Sequence, residues 1–206
     1  LERFVANSTQ IKNCTPNGML VPKKEIALQF NLVVRAFADI MGSLNFGDLL
    51  TSWHVPLNVR YKDGHIVEGN LERAYPTEDI HSDSWAGESA DSVTTMFPLF
   101  GDTERNRVDY YTPPDDFQEE WLGPQPSYRH NVEIAGKYRK IAAPYSKGYL
   151  YLVDFATLHS SARYPGAGPR ISIHTTFAFP PQPRQQQKIH PWRTHERAGH
   201  SDMSDV

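Results

Sequence analysis

Three residues, His81, Asp83 and His159, have the types and spacing to hold a metal ion. The stretch "DIHSDSW" (79–85) puts a histidine and an aspartate two positions apart. In extended backbone such residues point to the same side, so an imidazole nitrogen and a carboxylate oxygen face one point. His159 follows "GYLYLVDFATL", a strand, a turn and the start of another strand, and offers a second imidazole from a facing strand. Two histidines and one carboxylate on one face of an ion leave the opposite positions open. That ligand set suits non-haem Fe(II), because the open positions take co-substrate and oxygen. The H-x-D spacing alone is weak, and it recurs at His200 and Asp202. Only "MSDV" follows that second copy, with no further histidine and no arginine.

A second constellation lies in "PRISIHTTF", where Arg170 and Ser172 share a strand face. A guanidinium offers a planar fork that fits a carboxylate with two hydrogen bonds, and the serine adds a third donor. The pair reads as a clamp for the far end of a dicarboxylate lying in the metal pocket.

The order H-x-D, then His, then R-x-S resembles the Fe(II)- and 2-oxoglutarate-dependent dioxygenases over about residues 53–179. "GYLYLVDFATLHSSARYPGAGPRISIHTTF" is similar to that family's distal-histidine and arginine segment, and "HVPLNVRY" to the strand ahead of H-x-D. The resemblance implies a double-stranded β-helix, a cupin-like jelly-roll barrel. It implies Fe(II) on His81, Asp83 and His159, and 2-oxoglutarate held by the iron and by Arg170 and Ser172. It also implies oxygen as oxidant, with succinate and carbon dioxide released. Asp83 speaks against the halogenase branch, whose members lack that carboxylate. Some relatives carry Asn and Tyr at the spacing of Asn58 and Arg60, with the Tyr touching 2-oxoglutarate. Arg60 departs from that pattern and reads either as a contact to a substrate anion or as a surface ion pair.

Other residues carry two readings each. Trp85 and Glu88 form a lid over the substrate, or a packed indole and a solvated carboxylate. Thr94 or Thr95 assists 2-oxoglutarate, or is an ordinary strand threonine. His174 lines the pocket, or is a satisfied core histidine. Arg105, Arg107, Tyr110 and Tyr111 recognise substrate, or cover a solvated loop. His54 has no evident partner, and His190, His195 and His200 match no metal-site spacing.

These residues need a scaffold. Residues 21–44 read as a helix whose stripe of Ile26, Phe30, Val33, Phe37, Ile40 and Met41 packs on a sheet. Pro22 suits the first turn and Gly42 a helix stop. Extended segments are expected at 50–61, 65–69, 91–101, 148–155 and 170–179. In the last, Ile171, Ile173, Thr175 and Phe177 alternate with Ser172, His174 and Thr176. Residues 102–147 read as a long insertion or lid, and 181–206 as a polar tail. The expected class is mainly β with flanking helices, in one domain of 206 residues with its core at about 50–180.

Composition narrows the partners. Net charge is −3 without a basic run, so nucleic acid is not expected. No membrane partner is expected, because no apolar run approaches the ~20 residues of a span. One cysteine, Cys14, excludes an intrachain disulfide and fits a reducing, cytoplasmic compartment. The sequons at Asn7 and Asn13 read as chance. The chain begins at Leu1, so part of the N-terminus is expected to be missing. The expected function is oxidation, by default hydroxylation, of a small organic molecule such as an amino acid or secondary metabolite. Desaturation, cyclisation and epimerisation use the same chemistry. A metal-binding cupin without 2-oxoglutarate, or a degenerate oxygenase kept as a binding protein, are the alternatives.

Overall fold

The apolar stripe near the N-terminus forms a helix, as its spacing requires. The computed structural model describes residues 13–15, 17–66 and 72–180. A turn of 3-10 helix, Lys24–Ile26, leads into α1, Ala27–Ser43. Pro22 stands ahead of the first turn rather than in it, and Gly42 lies inside the last turn. Phe30, Phe37 and Met41 are buried against Leu57, Val59, Ile173 and Phe177. Phe37 also stacks on Trp53, with ring centroids 5.3 Å apart. Ile40, expected in the stripe, is 37% exposed. The segment Lys24–Ser43 is long and apolar enough to cross a membrane by length and composition, contrary to the expectation from run length. Here its aromatic stripe serves as the core of a sheet, and its outer side carries an Arg35–Asp39 pair at 3.9 Å.

That sheet has five antiparallel strands. They are β1 (Ser52–Trp53), β2 (Asn58–Lys62), β3 (Ser92–Gly101), β6 (Tyr151–Asp154) and β8 (Arg170–Ala178). β8 pairs with β3 along one side, and β1 and β2 share its other side. The alternation along β8 decides what faces where. Ile171, Ile173 and Phe177 join the core under α1, so Arg170, Ser172, His174 and Thr176 turn to the opposite, inner face. Register carries this across the ladder. Asn58 lies opposite His174, Arg60 opposite Ser172 and Lys62 opposite Arg170, so the three β2 residues face inward too. At the end of β3, Gly101 has φ +93°, and a Cβ there would lie 2.0 Å from the Pro169 carbonyl oxygen. Glycine therefore lets the chain enter β8 at Arg170.

The second sheet has three strands in the order β5–β4–β7: Arg139–Ile141, Asn106–Thr112 and Leu158–Arg163. Its middle strand, β4, lies inside the segment expected to be an insertion or lid. Charged residues conceal it in the sequence, since Arg107 and Asp109 pair at 3.0 Å on one face while Val108 and Tyr110 are buried on the other. Asn106 is fully buried, and its amide donates to the carbonyls of Lys62, Asp63 and Gly168, each at 3.0 Å. This amide ties the two sheets together at one end. The same segment also holds β5, two 3-10 turns and a short helix, α2 (Val132–Ala135). Among the described residues the strands form two separate antiparallel sheets with a cavity lined from both, and no strand pairing joins them into the closed barrel expected. Most of the expected strand at 65–69 and all of 181–206 lie outside the described residues.

Candidate metal centre

β7 has a free edge, and the H-x-D segment lies against it. His81 and His159 form an isolated antiparallel pair and exchange both backbone hydrogen bonds, His81 N to His159 O at 3.0 Å and the reverse at 2.8 Å. Residues paired this way carry their side chains on one face, and the two rings lie 4.4 Å apart. Asp83 reaches the same point by a different route from the extended one expected. Ser82 is extended, and the chain then turns into a 3-10 helix, Asp83–Ala86, with Asp83 as its first residue. The Ser82 hydroxyl caps this turn by accepting from the Ser84 amide at 3.2 Å, and it donates to the Phe155 carbonyl at 2.7 Å.

The ligand atoms of His81, Asp83 and His159 all lie within 4.8 Å of one another. Both rings are held by backbone. His81 Nδ1 donates to the Asp79 carbonyl at 2.7 Å, and His159 Nδ1 to the Thr157 carbonyl at 3.0 Å. In that tautomer each Nε2 presents a lone pair, the usual way a protein aims a metal-binding histidine. Asp83 is oriented likewise. The Thr94 hydroxyl donates to its Oδ2 at 2.5 Å, while Oδ1 lies 3.8 Å from His159 Nε2. Atoms that share an ion at ~2.1 Å each lie no more than ~4.2 Å apart, so loading would draw the set together. Burial, and then the neighbouring His159, push the His81 pKa well below the usual range and keep it neutral. Burial opposes the Asp83 charge, but His159, His81 and the Thr94 hydrogen bond outweigh it, and its pKa falls. A neutral His81 and an ionised Asp83 are in the forms that bind a cation.

The triad opens on a cavity of about 160 Å³, below the ~300–1,000 Å³ of drug-sized pockets and suited to a small molecule. Asn58, Arg60, Glu88 and His174 line it. Arg60 is thus not part of a surface ion pair: its Nε and Nη1 are buried without a hydrogen-bond partner. Trp85 does not line the cavity and forms no lid. It is 1% exposed, packs with Tyr128, Tyr138 and Leu158, and donates its indole N–H to the Trp121 carbonyl at 2.7 Å. Thr95 is a strand threonine that donates to the Thr175 carbonyl at 3.0 Å.

Arg170 and Ser172 lie deeper than expected. Neither is on the cavity surface. Arg170 is fully buried, and its Nε, Nη1 and Nη2 have no hydrogen-bond partner. Its guanidinium sits 5.0 Å from the centre of the Tyr145 ring, and the Tyr145 hydroxyl interacts with both Arg170 and Ser172 without meeting the geometry of a full hydrogen bond. Ser172 engages His174 Nε2 at 2.7 Å instead of joining Arg170 in a clamp. His174 and Met96 line the cavity, and the Tyr110 hydroxyl donates to the Met96 sulfur at 3.4 Å.

Two features carry no sequence signal of their own. Tyr128, from the segment expected to be an insertion, stacks on His81 at 4.1 Å and 17°. Glu78 pairs at 3.2 Å with both Lys62 and Arg163, all three largely buried. Their charges could have been noticed on neighbouring strands, but their convergence depends on the turn at 72–80.

No family model matches the chain, and no curated protein matches it. Among solved structures it is similar to the crystal structure of the non-heme alpha-ketoglutarate-dependent epimerase SnoN from nogalamycin biosynthesis, at 15% identity and a TM-score of 0.34. The match covers 56% of this chain and 48% of that one, so the chain spans about half the length of that structure. The His-Asp-His group is a feature of this chain's own geometry.

Proposed function

We propose that this chain is an Fe(II)- and 2-oxoglutarate-dependent oxygenase of the double-stranded β-helix type, acting on a small organic molecule. The observation that carries the reading is the convergence of His81, Asp83 and His159 on one point, each oriented by a second group. Such a set holds three positions on one side of an ion and leaves the others open. Arg170 supports it, because a buried guanidinium with three unpaired nitrogens needs an anion. The C5 carboxylate of 2-oxoglutarate would meet that need if Ser172 turned from His174 to Arg170 and the cavity extended to the guanidinium. When bound, iron would supply oxygen activation coupled to oxidative decarboxylation of 2-oxoglutarate. The chain's own residues fix the ion, grip the dicarboxylate and hold the reacting centre in a small cavity. Hydroxylation is the default outcome for the substrate.

The test is oxygen-dependent conversion of 2-oxoglutarate to succinate by the Fe(II)-loaded protein across a small-molecule panel. The reading requires succinate from wild type and none from Asp83→Ala. One observation favours a second reading, a metal-binding cupin that uses no 2-oxoglutarate: Arg170 is off the cavity surface. That reading requires metal binding without succinate, and 2-oxoglutarate affinity indifferent to Arg170.

A further inference from the structure

Arg60 poses a problem that iron and 2-oxoglutarate leave unsolved. It projects from β2 to the inner face, lines the metal cavity, and has Nε and Nη1 buried with no partner. The other interior cations already have a role. Lys62 and Arg163 share Glu78, and Arg170, against the Tyr145 ring and off the cavity surface, is given to the C5 carboxylate in the reading above. Asp83 exerts the strongest attraction on Arg60, ahead of Glu78, but the Asp83 carboxylate already faces His159 and Thr94, and Glu78 is held by Lys62 and Arg163. A divalent ion on the triad would neutralise what attraction remains. Glu88, the cavity's other carboxylate, makes no ion pair with Arg60 among the described residues. With Asp83 and one carboxylate of 2-oxoglutarate on the ion, the loaded centre would carry about no net charge, so a neutral substrate would leave Arg60 without a counter-charge.

We infer that Arg60 is the anchor for an anionic group on the substrate, and that the substrate is a small carboxylate whose carboxyl group lies against Arg60 beside the metal. This rests on the reading above and narrows its substrate class. The planar fork suits a carboxylate. Fixing that end places the rest of the molecule between Arg60 and the triad, in a cavity too small for a large ligand. Arg60 binds and orients; it takes no part in bond breaking.

The test uses protein loaded with Ni(II), which does not react with oxygen here, and saturated with 2-oxoglutarate. It is titrated by calorimetry with matched acids and primary amides: benzoate and benzamide, hexanoate and hexanamide, N-acetylglycine and its amide. Wild type should favour the acid of at least one pair by tenfold or more. Arg60→Met should erase that preference, Arg60→Lys should keep part of it, and 2-oxoglutarate affinity should change less than threefold in either variant. The inference is overturned if no pair shows a preference for the acid, or if the preference survives Arg60→Met. It is also overturned if Arg60→Met abolishes 2-oxoglutarate binding, which would make Arg60 the co-substrate clamp. Failure of the broader reading is separate: wild type then binds Ni(II) but not 2-oxoglutarate, and the acid preference is read on the Ni(II) form alone.

Discussion

Replacing Arg170 with methionine should move two properties in opposite directions. Arg170 is exposed to neither solvent nor cavity, and three of its nitrogens lack partners. A buried unsatisfied donor costs ~1–3 kcal/mol, and more when charged. The Tyr145 ring, 5.0 Å away, returns up to ~2 kcal/mol. Methionine fills most of the same volume without the charge, so Arg170→Met should stabilise the ligand-free protein by about 1–3 kcal/mol. For a chain of this size that corresponds to a Tm rise of roughly 2–12 °C. The same change removes the partner proposed for the C5 carboxylate. Truncating one side of a buried, hydrogen-bonded charge pair costs ~2–5 kcal/mol, so 2-oxoglutarate should bind ~30- to several-thousand-fold more weakly. Thermal unfolding without ligands and calorimetric titration of 2-oxoglutarate onto the Ni(II) form read the two effects. A lower Tm together with unchanged 2-oxoglutarate affinity would refute the reasoning, since Arg170 would then be satisfied by the protein alone.

Two further outcomes follow from the site. Thr94→Val removes the hydrogen bond that fixes Asp83 Oδ2, and loss of such an outer partner should weaken metal binding ~10–100-fold in a competition titration with a chelator; an unchanged affinity contradicts the role given to Thr94. Burial, opposed by Glu78, brings the Lys62 pKa down to about 7 from an ordinary 10.5. Between those values the unfolded chain holds a proton that the folded chain does not, so stability should rise with pH from about 7 to 10, by at most ~1.4 kcal/mol per unit. Urea unfolding at pH 7 and pH 9 should show Lys62→Met with a smaller rise than wild type; equal slopes would assign the effect elsewhere.

The sequence made parts of this site readable because local rules suffice there. The two-residue period of β8 sorts Ile171, Ile173 and Phe177 from Arg170, Ser172 and His174, and the helical stripe of Phe30 and Phe37 names its own packing face. The convergence of His81, Asp83 and His159 was legible as a pattern of types, though the route was not: Asp83 arrives on a 3-10 turn capped by Ser82. β4 was hidden because its outward residues pair with each other, so Arg107 and Asp109 read as loop polarity. Trp85 was misplaced because nothing local distinguishes an indole over a cavity from one whose N–H meets a carbonyl thirty-six residues later. The hydrogen bond between Ser172 and His174 is a tertiary choice between two partners on one strand face, and spacing cannot rank them.

The central claim is that His81, Asp83 and His159 hold one iron that 2-oxoglutarate can reach. Anaerobic addition of Fe(II) and then 2-oxoglutarate, followed in the visible, tests it most directly. The account predicts a charge-transfer band that saturates at one iron per chain and is absent from His159→Ala and Asp83→Ala. Iron uptake at one per chain with no band in wild type, or a band undiminished in those variants, would contradict it.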